Sequence, residues 1–536
     1  MAKAVPDRGA CSHDDFAALA GKSRVNEAPP APSDDIAALA KGGRTNFLGF
    51  LLRLAARLPF LFIAGRYYGP ELLGRFAYAI IVIELAAQLA TMGLKRGLAQ
   101  QLAHTDQPHA CVVYDGILAA FIASAVASII LMIFPQMMFP TGVIHGADWL
   151  LPLVIFGIAG ADVALAALAY RHDVASTVHV RAIVEPWTIS IAAGVLIFLS
   201  SRDGLIIAYV ISIAAGLATA LWRLYGNYGF PKGWRPDPAG LLGVARQNVP
   251  LAAADAIEWG SRRLDIAILG LFVAPYYVGV YYVAQQVASL PQKLKTSFDP
   301  ILAPVITQKL AEGDKEAVAR QVRQVGFWII AAQTGIALSL GIPGEAVMGL
   351  VGPEFVGGTA ALAFLLGAEA VAATAAVSEG ALVYVARHRN LIISMFMLAV
   401  QAALTVAIIV SLDVLHWPAD ENRRQAFQAA GAAIGPTLAL GLASVLKSNL
   451  LARLLGAPVQ GWRWSLIWAA AAAIIVGYGF TMLPRTFEWA ELVLGIPLIL
   501  GTFGLVIWTR GFTREDRALF RRHGPEEPTL PTPPEA

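Results

Sequence analysis

The sequence has 536 residues, 57% of them hydrophobic and only 14% charged, with a mean hydropathy of +0.61. That balance excludes an ordinary soluble domain and describes a chain that crosses a membrane many times. The net charge of +3 matters less than its distribution, and no nucleic-acid partner is expected. Cys11 and Cys111 imply neither a disulfide nor a metal framework. No cleavable signal peptide is expected, because the first apolar span begins only at Asn46.

The tail before that span contains a duplication. DDFAALAGKSRVN (Asp14 to Asn26) and DDIAALAKGGRTN (Asp34 to Asn46) share eight of thirteen residues. Each copy reads either as a short amphipathic surface helix or docking segment, or as a repeat drifting in a disordered tail. The second copy leads directly into the first span.

Apolar spans then recur near 46–64, 72–93, 111–134, 149–170, 182–199, 205–225, 250–272, 277–300, 325–343, 359–386, 390–411, 426–451, 464–483 and 490–509. The pattern predicts an all-α polytopic membrane protein with about 14 transmembrane helices. The seventh, eighth and twelfth spans are polar enough on one face to resemble soluble amphipathic helices. With the N-terminus inside, only Arg66, Arg202, Arg423, Arg424 and Arg485 of the 40 Lys and Arg fall in outward loops. Arg53, Arg57, Arg75, Arg262, Arg263 and Lys447 fall within spans, and the remaining 29 gather in cytosolic tails and loops. This partition predicts that both termini are cytosolic.

Outward connections are short, which leaves no room for an external catalytic domain. The cytosolic links are longer and basic, and Ala311 to Gln324 reads as an amphipathic helix leading into the ninth span. The predicted organisation is a cytosolic tail at 1–45, a first six-helix lobe at 46–225, a linker at 226–249 and a second six-helix lobe at 250–455. Two added helices at 456–510 and a tail at 511–536, composed like a disordered end, complete the chain.

At an offset of 205 residues, Pro70, Gly74, Phe76 and Ala79 meet Pro275, Gly279, Tyr281 and Ala284, and Arg57 meets Arg262. The first and seventh spans both run from inside to outside, as a parallel repeat about the membrane normal requires. The two lobes are therefore expected to be pseudo-symmetric.

Charge inside the spans marks the candidate site. Arg53 and Arg57 share one face of the first helix, and Arg57 lies roughly 16 Å beyond Asn46, near the middle of a layer ~30 Å thick. A cation there costs about 2.5 to 3.5 kcal/mol, so both are expected to face the bundle interior or a watery cavity. Asp255, Glu258, Arg262 and Asp265 form a second stripe, with Arg263 about 100° away from Arg262. Glu84 and Gln88 of the second span and Gln285, Ser289 and Gln292 of the eighth complete the candidate lining. The alternative is that these charges pair and pin helices together, as Glu258 with Arg262 or Arg57 with Glu84. Arg75 and Lys447 lie near helix ends and are expected to snorkel. Asp115 and Glu185 sit near the cytosolic ends of their spans, whereas Asp162 and Glu369 lie deeper and fit either ion coupling or pairing.

The runs GRYYGPELLGRFAYA, LATMGLKRGLAQQLA, SRRLDIAILG, VGVYYVAQQVASLPQ, FDPILAPVITQKLAEGDKEAVARQV, VGPEFVGGTAALAFLLGAE and AAGAAIGPTLALGL resemble the polysaccharide flippases of the multidrug/oligosaccharidyl-lipid/polysaccharide exporter superfamily. The likeness covers about residues 44 to 510. It implies a V-shaped bundle around a central cavity, which moves lipid-linked sugars between leaflets of the bacterial inner membrane by alternating access. The implied partners are a polyprenyl-pyrophosphate-linked oligosaccharide, membrane lipids, and polysaccharide polymerase and export machinery. No catalytic residue, resident cofactor or metal is expected, and a proton or Na+ would serve as coupling ion. On this reading Arg57 and Arg262 form a cationic clamp for the diphosphate, since guanidinium forks suit its oxygens. Nine acids against six bases within the spans keep open an ion-coupled exporter of small cations. The short outward loops disfavour a membrane glycosyltransferase or polymerase.

Overall fold

The computed structural model describes residues 58–513, except 106, 141–143, 232, 237, 296–305, 308, 311 and 483–487. Asn46, Arg53, Arg57 and the duplicated motif lie outside the described residues.

The chain is helical throughout the described residues. Helix α1 (58–68) closes with a π turn, Ala64–Tyr68, and Gly69 then turns the backbone at φ 78° and ψ 171°. Only glycine adopts that conformation at no steric cost, and Pro70 pre-sets the first turn of α2, Gly69–Ala90. Helix α2 stops where Met92 and Gly93 both take positive φ. A short amphipathic helix, α3 (Leu94–His104), follows. It buries Leu94, Leu98 and Leu102 and exposes Lys95 and Arg96. The first lobe continues with α4 (His109–Ile133), a 3-10 segment Gly146–Leu153, α5 (Val154–Tyr170), α6 (174–196) and α7 (Gly204–Tyr228).

The second lobe comprises α8 (Pro238–Phe272), α9 (Pro275–Lys295), α10 (Lys315–Gly341), short α11 (Gly344–Val351), a 3-10 turn Pro353–Gly358, α12 (Thr359–Val385), α13 (Arg387–Val414) and α14 (Glu421–Leu455). Helices α15 (Ser465–Thr481) and α16 (488–511) follow. Among the described residues nine helices are long and apolar enough to cross a membrane, and the first, Leu58–His104, contains both α1 and α2. Helices α6, α8, α9 and α15 are shorter, interrupted or more polar, and among the described residues they bring the long helices to about fourteen once α1 and α2 are taken separately.

Two boundaries differ from the sequence reading. Helix α8 begins at Pro238 rather than near 250, because the preceding residues continue its backbone hydrogen bonds. The helix expected at 311–324 is not separate from the ninth span: Asp314 caps one continuous α10 by accepting from the Ala317 amide at 2.9 Å.

The 205-residue repeat extends beyond the motif that suggested it. Helices α4 and α10 begin at His109 and Lys315, within one residue of that offset, and α5 and α12 begin at Val154 and Thr359, each of these two preceded by a 3-10 segment. The repeat-related glycines also make the contact between the lobes. A Cβ on Gly74 would run into the Pro275 carbonyl, and one on Gly279 into the Pro70 carbonyl. This reciprocal pairing is what a pseudo-two-fold axis between α2 and α9 produces. Both glycines lie near the end of the bundle opposite its basic connections.

Lys447 does not snorkel. It is 5% exposed, with Nζ 3.1 Å from Glu379 Oε2 and donating to Ser394 Oγ at 3.0 Å, which ties α14 to α12 and α13. Arg75 likewise pairs with buried Asp148 and lies 4.3 Å from the Phe139 ring centroid. Glu379→Ala leaves the Lys447 cation buried without its counter-charge and is expected to cost about 3 kcal/mol. Lys447→Met leaves only the more exposed Glu379 carboxylate behind. Thermal unfolding of the purified variants should therefore rank Glu379→Ala below Lys447→Met; the reverse order would mean the pair is governed by packing of the lysine stem.

Candidate functional site at the lobe interface

The polar stripe of α8 divides into two clusters. Nearer the basic end, Asp255 and Glu258 face the first lobe, where Arg96 of α3 reaches both carboxylates. Its Nε lies 2.8 Å from Asp255 Oδ1, and its terminal nitrogen pairs with Glu258. Glu258 also accepts from Arg262 at 2.9 Å, one turn further along α8. The expected Glu258–Arg262 pair therefore forms, with a second arginine added from the other lobe.

Nearer the opposite end, Asp265 is buried between α8 and α9. It accepts from the Tyr281 hydroxyl, and both its oxygens accept from Gln285 Nε2 at 3.2 Å. Gln285 Oε1 in turn accepts from Arg263 at 2.8 Å, and Arg263 Nε lies 3.8 Å from Glu84 Oε2 on α2. Arg263, which the helical wheel sets apart from the stripe, is thus the residue that crosses to the first lobe. Gln88 is half-buried one turn beyond Glu84. Ser289 turns back to its own helix, donating to the Gln286 carbonyl at 2.7 Å.

The repeat shows that this second cluster belongs to one lobe only. Subtracting 205 from Asp265, Tyr281 and Gln285 gives Phe60, Phe76 and Ile80. In the first lobe those positions hold an aromatic pair with ring centroids 6.2 Å apart and a buried isoleucine. The same backbone positions therefore carry an apolar contact in one lobe and a hydrogen-bonded carboxylate in the other.

A third group lies inside the first lobe. Arg181 pairs with Asp162 of α5 and, at 2.6 Å, with Glu185 of its own helix. The pairing alternative thus describes Asp162 and Glu185. Arg181 sits in a π turn, His179–Val184, that widens α6 and turns the guanidinium inward. Asp115 accepts from the Trp234 indole at 2.8 Å, and Glu369 is half-buried on α12. Sequence reasoning left Arg96 and Arg181 outside the spans. The signal for Arg96 was its place between Gly93 and Gly97, a spacing that lets two helices approach closely.

Known proteins share this architecture. The lipid II flippase MurJ in an inward closed conformation matches with a TM-score of 0.64 at 11% identity, covering 89% of this chain and 100% of that one. An inward-facing multidrug resistance MATE family transporter of the MOP superfamily matches at 0.60 and 14% identity, covering 75% and 98%. A MOP superfamily transporter from Pyrococcus furiosus matches at 0.53 and 13%, covering 78% and 95%. At these identities the likeness establishes the fold. No curated protein sequence matches the chain. The family described as polysaccharide biosynthesis protein matches residues 63–338, more than half of the chain and the whole stretch from α1 through both interface clusters. The chain is a multi-pass membrane protein with the fold of these transporters, and it belongs to the family described as polysaccharide biosynthesis protein.

Proposed function

We propose that this transporter carries a polyprenyl-pyrophosphate-linked oligosaccharide from the cytoplasmic to the outer leaflet of the bacterial inner membrane, for extracellular or capsular polysaccharide assembly. The basic end of the bundle faces the cytosol, with both termini on that side, and the lobes alternate in exposing their interface. The observation that carries this reading is the set of guanidinium groups at the interface. Arg96, Arg262 and Arg263 are brought to one seam in a chain of a polysaccharide biosynthesis family, and guanidinium is the side chain best matched to diphosphate oxygens. Arg262 is nearly half exposed, so it is accessible to a headgroup. Arg53 and Arg57 extend the cationic face on this reading, together with Glu84, Gln88, Asp255, Glu258, Asp265 and Gln285 for the sugar hydroxyls.

A proton or Na+ gradient would drive the cycle, with Asp162 and Glu369 as the candidate coupling acids. Polymerase and export machinery would receive the product. No residue is given a catalytic role. The buried Asp265 carboxylate, held by neutral donors at the interface, favours a second reading, ion-coupled export of small cations as in the related multidrug transporters.

The test is complementation in a strain lacking its own polysaccharide flippase, with lipid-linked intermediates measured beside export. Arg57→Ala and Arg262→Ala should insert normally, halt export and accumulate lipid-linked oligosaccharide in the inner leaflet, and Lys should rescue partly. Wild-type export from both alanine variants would remove the diphosphate clamp and leave the cation exporter as the better reading.

A further inference from the structure

The lobes touch a second time, at the basic end. Gly93, at φ 72°, brings the start of α3 onto α8, where an added Cβ would lie 2.6 Å from the Ala252 nitrogen and 2.8 Å from the Asn248 carbonyl. Gly97, one turn on, makes room for the Asn248 side chain. Helix α3 is fixed to the first lobe by its buried leucines. The contact it makes with α8 sets the two glycines against the α8 backbone, the Asn248 side chain and a single apolar side chain, Leu251. Across this seam the strong interactions are the ion pairs from Arg96 to Asp255 and Glu258. Asp255 is 5% exposed, and its second oxygen is buried without a hydrogen-bond partner. Withdrawing Arg96 would leave that carboxylate buried with its counter-charge gone.

We propose that Arg96 is the latch of the basic end: its bridge to Asp255 and Glu258 holds the two lobes shut there. Opening breaks the bridge and lifts Gly93 and Gly97 away from Asn248 and Ala252. Glu258 links the latch to the transport site because it divides its oxygens between Arg96 and Arg262. An anionic headgroup taken by Arg262 releases Glu258 to Arg96 alone, so loading strengthens closure of the end through which cargo entered. Arg96 is a positioning residue; the latch rests on alternating exposure of the interface, and only its coupling to loading through Arg262 rests on the anionic cargo proposed above.

Spin labels carried on genetically introduced ketone side chains at Gln100 and Gln247 would report the basic end of the full-length, cargo-free protein in lipid nanodiscs. Labels at Tyr67 and Leu271 would report the opposite end. These positions are exposed, and the native cysteines stay in place. The wild type should show mainly a short distance at the basic end. Arg96→Gln should raise the long-distance population there several-fold and leave the opposite end unchanged. Arg96→Lys, which keeps the positive charge facing Asp255 and Glu258, should restore much of the short distance. Should Arg96→Gln fail to insert, Glu258→Gln is read by the same distances. An unchanged basic-end distance overturns the latch. So does widening at both ends, or Arg96→Lys opening the basic end as far as Arg96→Gln does, because either marks a general packing role. The measurement uses no cargo, so a wrong substrate assignment leaves its outcome interpretable.

Discussion

Gly74→Leu and Gly279→Leu should each abolish most polysaccharide export while the protein still inserts. At each position the obstacle to a side chain is the backbone of the other lobe: the Pro275 carbonyl for Gly74 and the Pro70 carbonyl for Gly279. Overpacking in an ordinary core costs about 1–3 kcal/mol because neighbouring side chains give way. A carbonyl fixed in a helix cannot rotate aside, so the lobes themselves must part at this end. A bias of about 1–3 kcal/mol already changes a conformational equilibrium by roughly 5- to 150-fold, and the expected loss of export lies at the upper part of that range. The two single variants should behave alike, since the pseudo-two-fold axis makes their contacts equivalent. Their double variant should be little worse than either, because the second leucine enters a gap the first has opened. Export assays in whole cells, normalised to the amount of protein in the membrane, check this. Wild-type export from Gly279→Leu would mean that the crossing of α2 and α9 is not required to close during the cycle.

The second large effect is expected at the polar cluster of the second lobe. Gln285→Ile removes the amide that donates to Asp265 and accepts from Arg263, leaving the buried carboxylate with the Tyr281 hydroxyl and the guanidinium with Glu84. Removing one hydrogen-bond donor from a buried carboxylate costs about 1–3 kcal/mol, a sizeable share of a typical domain's stability. Combining Asp265→Phe, Tyr281→Phe and Gln285→Ile builds into the second lobe the trio Phe60, Phe76 and Ile80 that the first lobe already packs. Replacing a buried carboxylate and both its donors by apolar groups of suitable shape is often neutral, and Arg263 keeps Glu84 opposite it at 3.8 Å. The triple variant should therefore recover most of the thermal stability lost in the single one. Transport should stay absent, because the interface has lost the buried Asp265 carboxylate and the Gln285 amide that joins it to Arg263. A triple variant as unstable as Gln285→Ile would show that the two lobes do not pack equivalently. One that transports normally would show the cluster to be purely structural.

Much of this protein follows from the order of its residues. Length and apolar content locate each span, because a helix must present about 20 apolar residues to cross the hydrocarbon. The partition of Lys and Arg separates a basic end from its opposite, and the Pro70/Pro275 and Gly74/Gly279 matches disclose two related lobes. The stripe on α8 is legible for the same local reason, since residues three and four apart share a helix face whatever surrounds it.

What each charge meets is decided elsewhere. Arg263 lies off the stripe on a helical wheel, yet α8 is rotated so that this side chain, and not Arg262, reaches Glu84 across the seam. Lys447 occupies a position from which a lysine on an isolated helix would extend toward water, but α12 and α13 enclose it and supply Glu379 and Ser394. Arg181 enters the first lobe only because a π turn shifts the register of α6, a change that average periodicity does not register. Arg96 is an ordinary loop cation until α3 folds back onto α8. The sequence by itself determined the spans, the repeat and the faces that carry charge, because these depend on composition and on helical periodicity. Only the tertiary structure decided which charges pair and where the lobes meet, because helix rotation and the close approach of glycines are set by packing between segments far apart in the chain.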